Sequence, residues 1–139
     1  MKKRLLVLIS AGFMVSASAF LTATAADDGT PQVKDVMKSL FKGKTAELAK
    51  LKTELENEPP NWSSVEASAK EFVNLTEALG KATPPKGDKA SWEKLTLAVH
   101  ENSKVLDGAV KSKDKAGAEA AVKKIGGMCQ SCHAAHKGQ

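Results

Sequence analysis

Five residues near the C-terminus carry the chemistry of this chain: Cys129, Gln130, Ser131, Cys132 and His133. Two thiols three positions apart, with an imidazole directly after the second, form the C-x-x-C-H pattern of covalent haem attachment. The thiols can add across the two vinyl groups of one haem to form thioethers. The histidine beside the second cysteine can then bind the iron through a ring nitrogen. Other uses of the pattern fit less well. A disulfide between Cys129 and Cys132 would close a very small loop. A thioredoxin-like redox pair belongs beside a βαβ pattern, and no stretch here has strand periodicity. A zinc site from Cys129, Cys132, His133 and His136 would crowd four ligands into eight residues, unlike the separated ligand pairs of zinc folds.

These are the two cysteines of the chain, and its beginning gives them a setting. Lys2, Lys3 and Arg4 precede an apolar, nearly uncharged run from Leu5 to Leu21, which closes in Ala23-Thr24-Ala25. This is the three-part pattern of a secretory signal peptide over residues 1–25, with cleavage after Ala25. It predicts a periplasmic protein with no membrane span in the mature chain, because the apolar core is short and diluted by Ser, Gly and Ala. Haem of this type is attached outside the cytoplasm. The leader carries three of the 21 basic residues and none of the 16 acidic ones, so most of the formal +5 charge belongs to it. The other lysines are interspersed with Glu and Asp, which argues against nucleic-acid binding.

The elements that must position the motif read as helices. With 139 residues the chain suits one domain, here residues 26–139. Pro31 suits a first helical turn. Val33, Val36, Met37, Leu40, Phe41, Leu48, Leu51 and Leu55 then recur at helical spacing, up to Pro59-Pro60. Ser63-Ser64-Val65-Glu66 reads as a capping box opening a second helix, with Val65, Ala69, Phe72, Leu75, Thr76 and Leu79 as its stripe. Asp88 and Asp114 are N-cap residues for a third and a fourth. Trp92, Leu95, Val99, Leu106 and Val110 line the third. Ala118, Ala121, Val122, Ile125 and Cys129 line the fourth. Short connections predict an all-α, up-down-up-down antiparallel four-helix bundle with covalently bound haem. Six aromatic residues in 139 leave a thin core that a large cofactor would help to fill.

In such a bundle the start of the first helix lies level with the end of the last. Met37 is about 9 Å past Pro31, and His133 about 9 Å before the C-terminus, at ~1.5 Å per residue. Met37 therefore stands where a distal iron ligand could sit, although the spacing alone serves a gap-filling core methionine equally well. His100 falls roughly 9 Å from this level and reads as a surface or bundle histidine. Met128 adjoins Cys129 on the proximal helix, which keeps it from the far face. His136 follows His133 by three residues and reads as a solvent-facing group or a neighbour of the proximal ligand. Trp92, Leu79 and Phe41, with Leu75, fall near the same level and would form pocket walls.

An N-terminal helix bearing Val36-Met37-Lys38, a tryptophan opening the third helix and a C-x-x-C-H in the last resemble the class II cytochromes c, the cytochrome c′ group. The resemblance spans essentially the whole of residues 26–139. It implies one covalent haem c with His133 as proximal ligand, and Met37 falls at the distal position that divides the group. Members with methionine there are low-spin electron carriers. Members with an apolar residue there are five-coordinate and bind NO or CO. The Met-Lys context implies Met37 as distal ligand and a single-electron carrier, not an enzyme, that meets other redox proteins transiently. The gas-binding protein is the alternative. Many members dimerise through their first two helices, so a homodimer stays among the expectations. The chain also departs from the group. After residue 25 it has no arginine, where many members carry one early in the first helix and another soon after the haem histidine. Pairing with the haem propionates would fall to lysines such as Lys34, Lys86 or Lys89, or to water.

Overall fold

A stripe of apolar residues every three or four positions runs through each helical segment and decides which side of it is buried. The structure is a computed structural model and describes residues 32–138. The expected signal peptide and cleavage site, and Pro31, lie outside the described residues. Six helices follow one another: α1 (Val33–Phe41), α2 (Glu47–Glu56), α3 (Trp62–Lys81), α4 (Lys89–Lys111), α5 (Lys115–Gly127) and α6 (Cys129–His136). No strand occurs among the described residues, and no described helix is long and apolar enough to cross a membrane.

Two expected helices are each divided. The first is interrupted over residues 42–46, where α1 ends at Lys42 and Gly43 takes φ +87°, a left-handed conformation that glycine adopts without steric cost. The apolar spacing continues across the break, so Leu51 and Leu55 of α2 are still buried and periodicity alone conceals the interruption. The last helix is divided at Met128, which closes α5 and opens α6. The Gly126-Gly127 pair before it has little helix propensity, and the first bond across the junction, from the Cys132 N–H to the Met128 carbonyl, is long at 3.4 Å.

The caps explain the other boundaries. Asp88 accepts from the Ser91 N–H at 2.7 Å and Asp114 from the Gly117 N–H at 3.0 Å, as the sequence predicts. The α3 cap differs from expectation. Asn61 accepts from the Ser64 N–H at 3.3 Å, two residues earlier than the Ser63-based box, because the chain turns helical directly after Pro60 with Asn61 at the boundary.

The core joins all six elements. Val36, Leu40, Leu51, Phe72, Leu79, Trp92, Leu106 and Ile125 are almost wholly buried. α3 packs on α2 and α4, α5 on α4, and α1 on α3. Phe72 has no exposed surface and meets Phe41 edge-on with ring centroids 5.8 Å apart, a favoured aromatic geometry. A polar group crosses the same core between α3 and α4. The Thr76 hydroxyl lies 2.9 Å from that of Ser103 and 3.2 Å from His100 Nδ1. His100 is thus a half-buried bundle residue, tied into the α3–α4 interface.

Truncating Phe72 would leave a cavity where three helices meet. Phe72→Ala is expected to lower the unfolding free energy by about 3–5 kcal/mol, read from the urea midpoint. A loss below about 1 kcal/mol would mean that Phe72 does not anchor the core.

Candidate functional site

The C-x-x-C-H residues occupy one side of α6, and their surroundings are two adjoining cavities. The larger has a volume of about 750 Å³ and opens to solvent between α1, the start of α4 and α6. The smaller, about 80 Å³, lies deeper between α1, α3, α4 and α5. Met37, Cys132 and His133 line both. Cys129, Phe41 and Leu79 line the inner one, and Trp92 the outer. The chain therefore brings seven of the residues singled out from sequence to these cavities; Leu75, expected as a further wall, lines neither and packs against the core instead.

α6 is held in place by a residue whose role the sequence did not reveal. His136 is 2 % exposed. Its Nδ1 lies 2.9 Å from the Lys86 carbonyl and its Nε2 3.1 Å from the Ser91 hydroxyl. A carbonyl only accepts, so Nδ1 donates to Lys86, while Nε2 and the Ser91 hydroxyl share the second bond. The ring also meets Trp92 edge-on at 5.3 Å. The expectation of a solvent-facing His136 is corrected here. Three residues along a helix is less than a full turn, so His136 sits inside against α4 while His133 is exposed along the cavity. The signal in the sequence was the opposed loop, Pro84 to Asp88, whose Gly87 has φ +84° and comes close enough for the ring to fit.

The chemistry of the lining is divided. The inner cavity is mostly apolar. Thr96 there donates its hydroxyl to the Trp92 carbonyl at 2.9 Å, so it offers no free donor. Met128, which sequence reasoning set aside, also lines this cavity, but the Asn102 amide is turned toward its sulfur at 3.7 Å. Met37 borders both cavities without such a partner. The outer cavity is ringed by Lys34, Lys38, Lys42 and Lys137, with Asp35 as its acidic member. Of the lysines expected to face acidic groups, only Lys34 lines it; Lys89 is turned to Glu93 at 3.6 Å.

One further donor points to what the cavity suits. Trp92 Nε1 is, among the described residues, the one buried side-chain nitrogen or oxygen without a hydrogen-bond partner. Leaving such a group unpaired costs about 1–3 kcal/mol, and Trp92 lines the outer cavity. Both cysteines are free thiols. Cys132 is 8 % exposed, and burial, with a smaller contribution from neighbouring Cys129, pushes its thiol above the ordinary pKa. An apolar slot beside two thiols, an imidazole and a thioether, with a cationic mouth and an unpaired N–H, suits a flat apolar ligand bearing acidic groups at one edge. Among the described residues no three His, Cys, Asp or Glu side chains gather as a metal-ion group.

Two expectations follow. In the haem-free chain, alkylation at neutral pH should modify Cys129 first. Cys132 should lag and catch up as pH rises, because only its thiolate reacts. Equal rates near pH 7 would show that Cys132 is not buried. Gly87→Ala sets a Cβ 2.7 Å from the Ala135 carbonyl and 2.8 Å from His136 Nδ1, on a backbone that already disfavours it. It should cost at least about 1–2 kcal/mol of stability, and an unchanged urea midpoint would detach this loop from α6.

Comparison with protein-family models, with curated proteins and with solved structures finds no match to this chain.

Proposed function

We propose that the chain is an exported monohaem cytochrome of the class II kind, a single-electron carrier. The observation that carries this reading is the meeting of Met37 with Cys132 and His133 on the walls of both cavities. Cys129 and Cys132 would hold haem c through two thioethers, His133 would bind the iron on the α6 side, and Met37 on the α1 side. Phe41, Leu79 and Trp92 would wall the ring, and the volume of the larger cavity lies within the roughly 300–1,000 Å³ usual for cofactor sites. The lysines at the mouth would donate to the haem carboxylates. When bound, the haem supplies a one-electron ferrous/ferric couple, and a thioether ligand raises its potential relative to two histidines.

The residues of the chain act around that couple. His136 holds α6 and hence the height of His133. Leu79 and Phe41 keep water from the inner cavity. The core keeps Met37 and His133 at a constant separation, which favours transfer with little rearrangement.

The up-down-up-down arrangement belongs to this reading. It is supported by neighbours whose numbers run in opposite directions: Gly80 beside Thr96 and Thr76 with Ser103 between α3 and α4, and Ala109 beside Gly117 and Asn102 with Met128 between α4 and the end of α5. The export signal over residues 1–25 supports a periplasmic location, where haem attachment would take place.

A gas-binding protein is the second reading. It is favoured by the position of Met37, half-buried and bordering the open outer cavity, from which its side chain has room to leave the iron.

The visible spectrum of protein exported with the haem-attachment machinery tests both. The expected result is a covalently bound, low-spin haem that Cys129→Ala with Cys132→Ala abolishes. Met37→Ala should turn it high-spin and open it to CO. A high-spin wild type that binds CO would move the function to gas binding, and a colourless protein would end the cytochrome reading.

A further inference from the structure

We propose that the lysine-ringed mouth of the outer cavity is a docking surface for an acidic protein, the redox partner of this chain. The inference rests on the haem reading and adds the chemistry of the partner to it. Lys34 and Lys38 stand four residues apart on α1, Lys42 follows at the same interval as its C-cap, and Lys137 lies just past the end of α6. All four are exposed and all line the same mouth.

The spacing on α1 is unlike that used elsewhere. On α3 and α4 the same interval sets an acid against a lysine: Glu77 with Lys81 at 2.6 Å, Lys89 with Glu93 at 3.6 Å and Asp107 with Lys111 at 2.6 Å. On α1 it sets lysine against lysine. Like charges at this interval destabilise a helix, and Lys34 stands in the first turn, where the helix dipole also opposes a cation. Among the described residues none of the four lysines forms an ion pair. Lys38, in the last turn, suits the helix dipole, but none of the four lysines gains from an ion pair within the described chain, and a recurrent negative partner would supply one.

The haem carboxylates do not account for all of it. There are two of them, while the mouth carries four lysines against Asp35. The mouth stays net positive with both ionised. A protein fits it better than a lipid surface. Among the described residues the large exposed apolar side chains, Leu97 and Val105, are both on α4 and neither lines the mouth, so the described mouth offers no large exposed apolar side chain to a membrane. Complementary charge at the point of electron exit accelerates encounter, and salt weakens the effect.

The test uses the haem-loaded protein. Hexacyanochromate(III), a paramagnetic and redox-inert trianion, is titrated into the reduced form and amide broadening is mapped by NMR. Poly-L-glutamate serves as the acidic-polypeptide probe. Both should act at residues 34–42 and at Lys137, and the triple change Lys34→Gln, Lys38→Gln, Lys42→Gln should weaken both by about tenfold or more. Lys52→Gln with Lys70→Gln and Lys113→Gln, which line neither cavity, serves as the control. In parallel, the ferrous protein gives one electron to hexacyanoferrate(III), forming hexacyanoferrate(II), or to tris(phenanthroline)cobalt(III), forming the cobalt(II) complex. Added salt should slow the first reaction and speed the second.

Broadening scattered over the surface, equal effects of the two triple variants, or the same salt response with both oxidants would overturn the docking surface. So would co-sedimentation with phosphatidylglycerol vesicles but no response to poly-L-glutamate. A coloured protein that fails these tests leaves the haem reading standing; a colourless one removes the redox reading beneath the proposal.

Discussion

His136 joins α6 to the rest of the molecule through two hydrogen bonds, one to the Lys86 carbonyl and one with the Ser91 hydroxyl, and through its edge contact with Trp92. A helix of eight residues has little stability of its own in water. α6 follows a weak junction at Met128, so its position must come from tertiary contacts. The imidazole suits this because its two nitrogens can satisfy a carbonyl and a hydroxyl at once, leaving nothing unpaired in a buried place. With α6 held there, Cys132 faces inward and His133 lies along the cavity wall. A cofactor bound at three points of this helix would inherit that geometry.

The cavity beside α6 shows how a small domain combines apolar burial with polar duty. Its inner part is walled by side chains that also serve the core, such as Leu79 and Ile125. Its mouth carries lysines, and the indole N–H of Trp92 nearby is buried and unpaired. Apolar walls and cationic edges are separated by a few residues on one helix: in α1, Val36 and Leu40 are buried while Lys34 and Lys38 are exposed. The 3.6-residue period makes this possible, since a single helix can present one face to the core and another to a ligand or partner. Repulsion along the α1 lysines and the unpaired Trp92 N–H are local costs, of the kind that collect at functional sites.

Much of the fold was legible because helix period and capping chemistry are local. The stripes of α3, α4 and α5 and the caps at Asp88 and Asp114 follow from residue type and spacing. The two interruptions were not, although both lie at glycine. At Gly43 the apolar spacing stays in phase across the break, so a period count sees one helix where the backbone makes two. At Gly126-Gly127 the motif that follows looked like a continuation. The Asn61 cap was hidden because the serines beside it matched a known pattern equally well.

The sequence by itself determined that the chain is helical and where two thiols and an imidazole stand within about one turn, the spacing on which the proposed haem attachment rests. It also pointed to Met37, Phe41, Leu79 and Trp92, since position along a helix sets height in a bundle. Only the tertiary structure decided that these residues meet on shared cavity walls, that Met128 lines the inner cavity alongside them, and that His136 is buried. It alone set Lys34, Lys38, Lys42 and Lys137 around one opening. The physical reason is that such neighbours lie on different helices, up to about a hundred residues apart in the chain. Their meeting depends on how each helix is rotated about its axis, which packing between helices sets and no local pattern encodes.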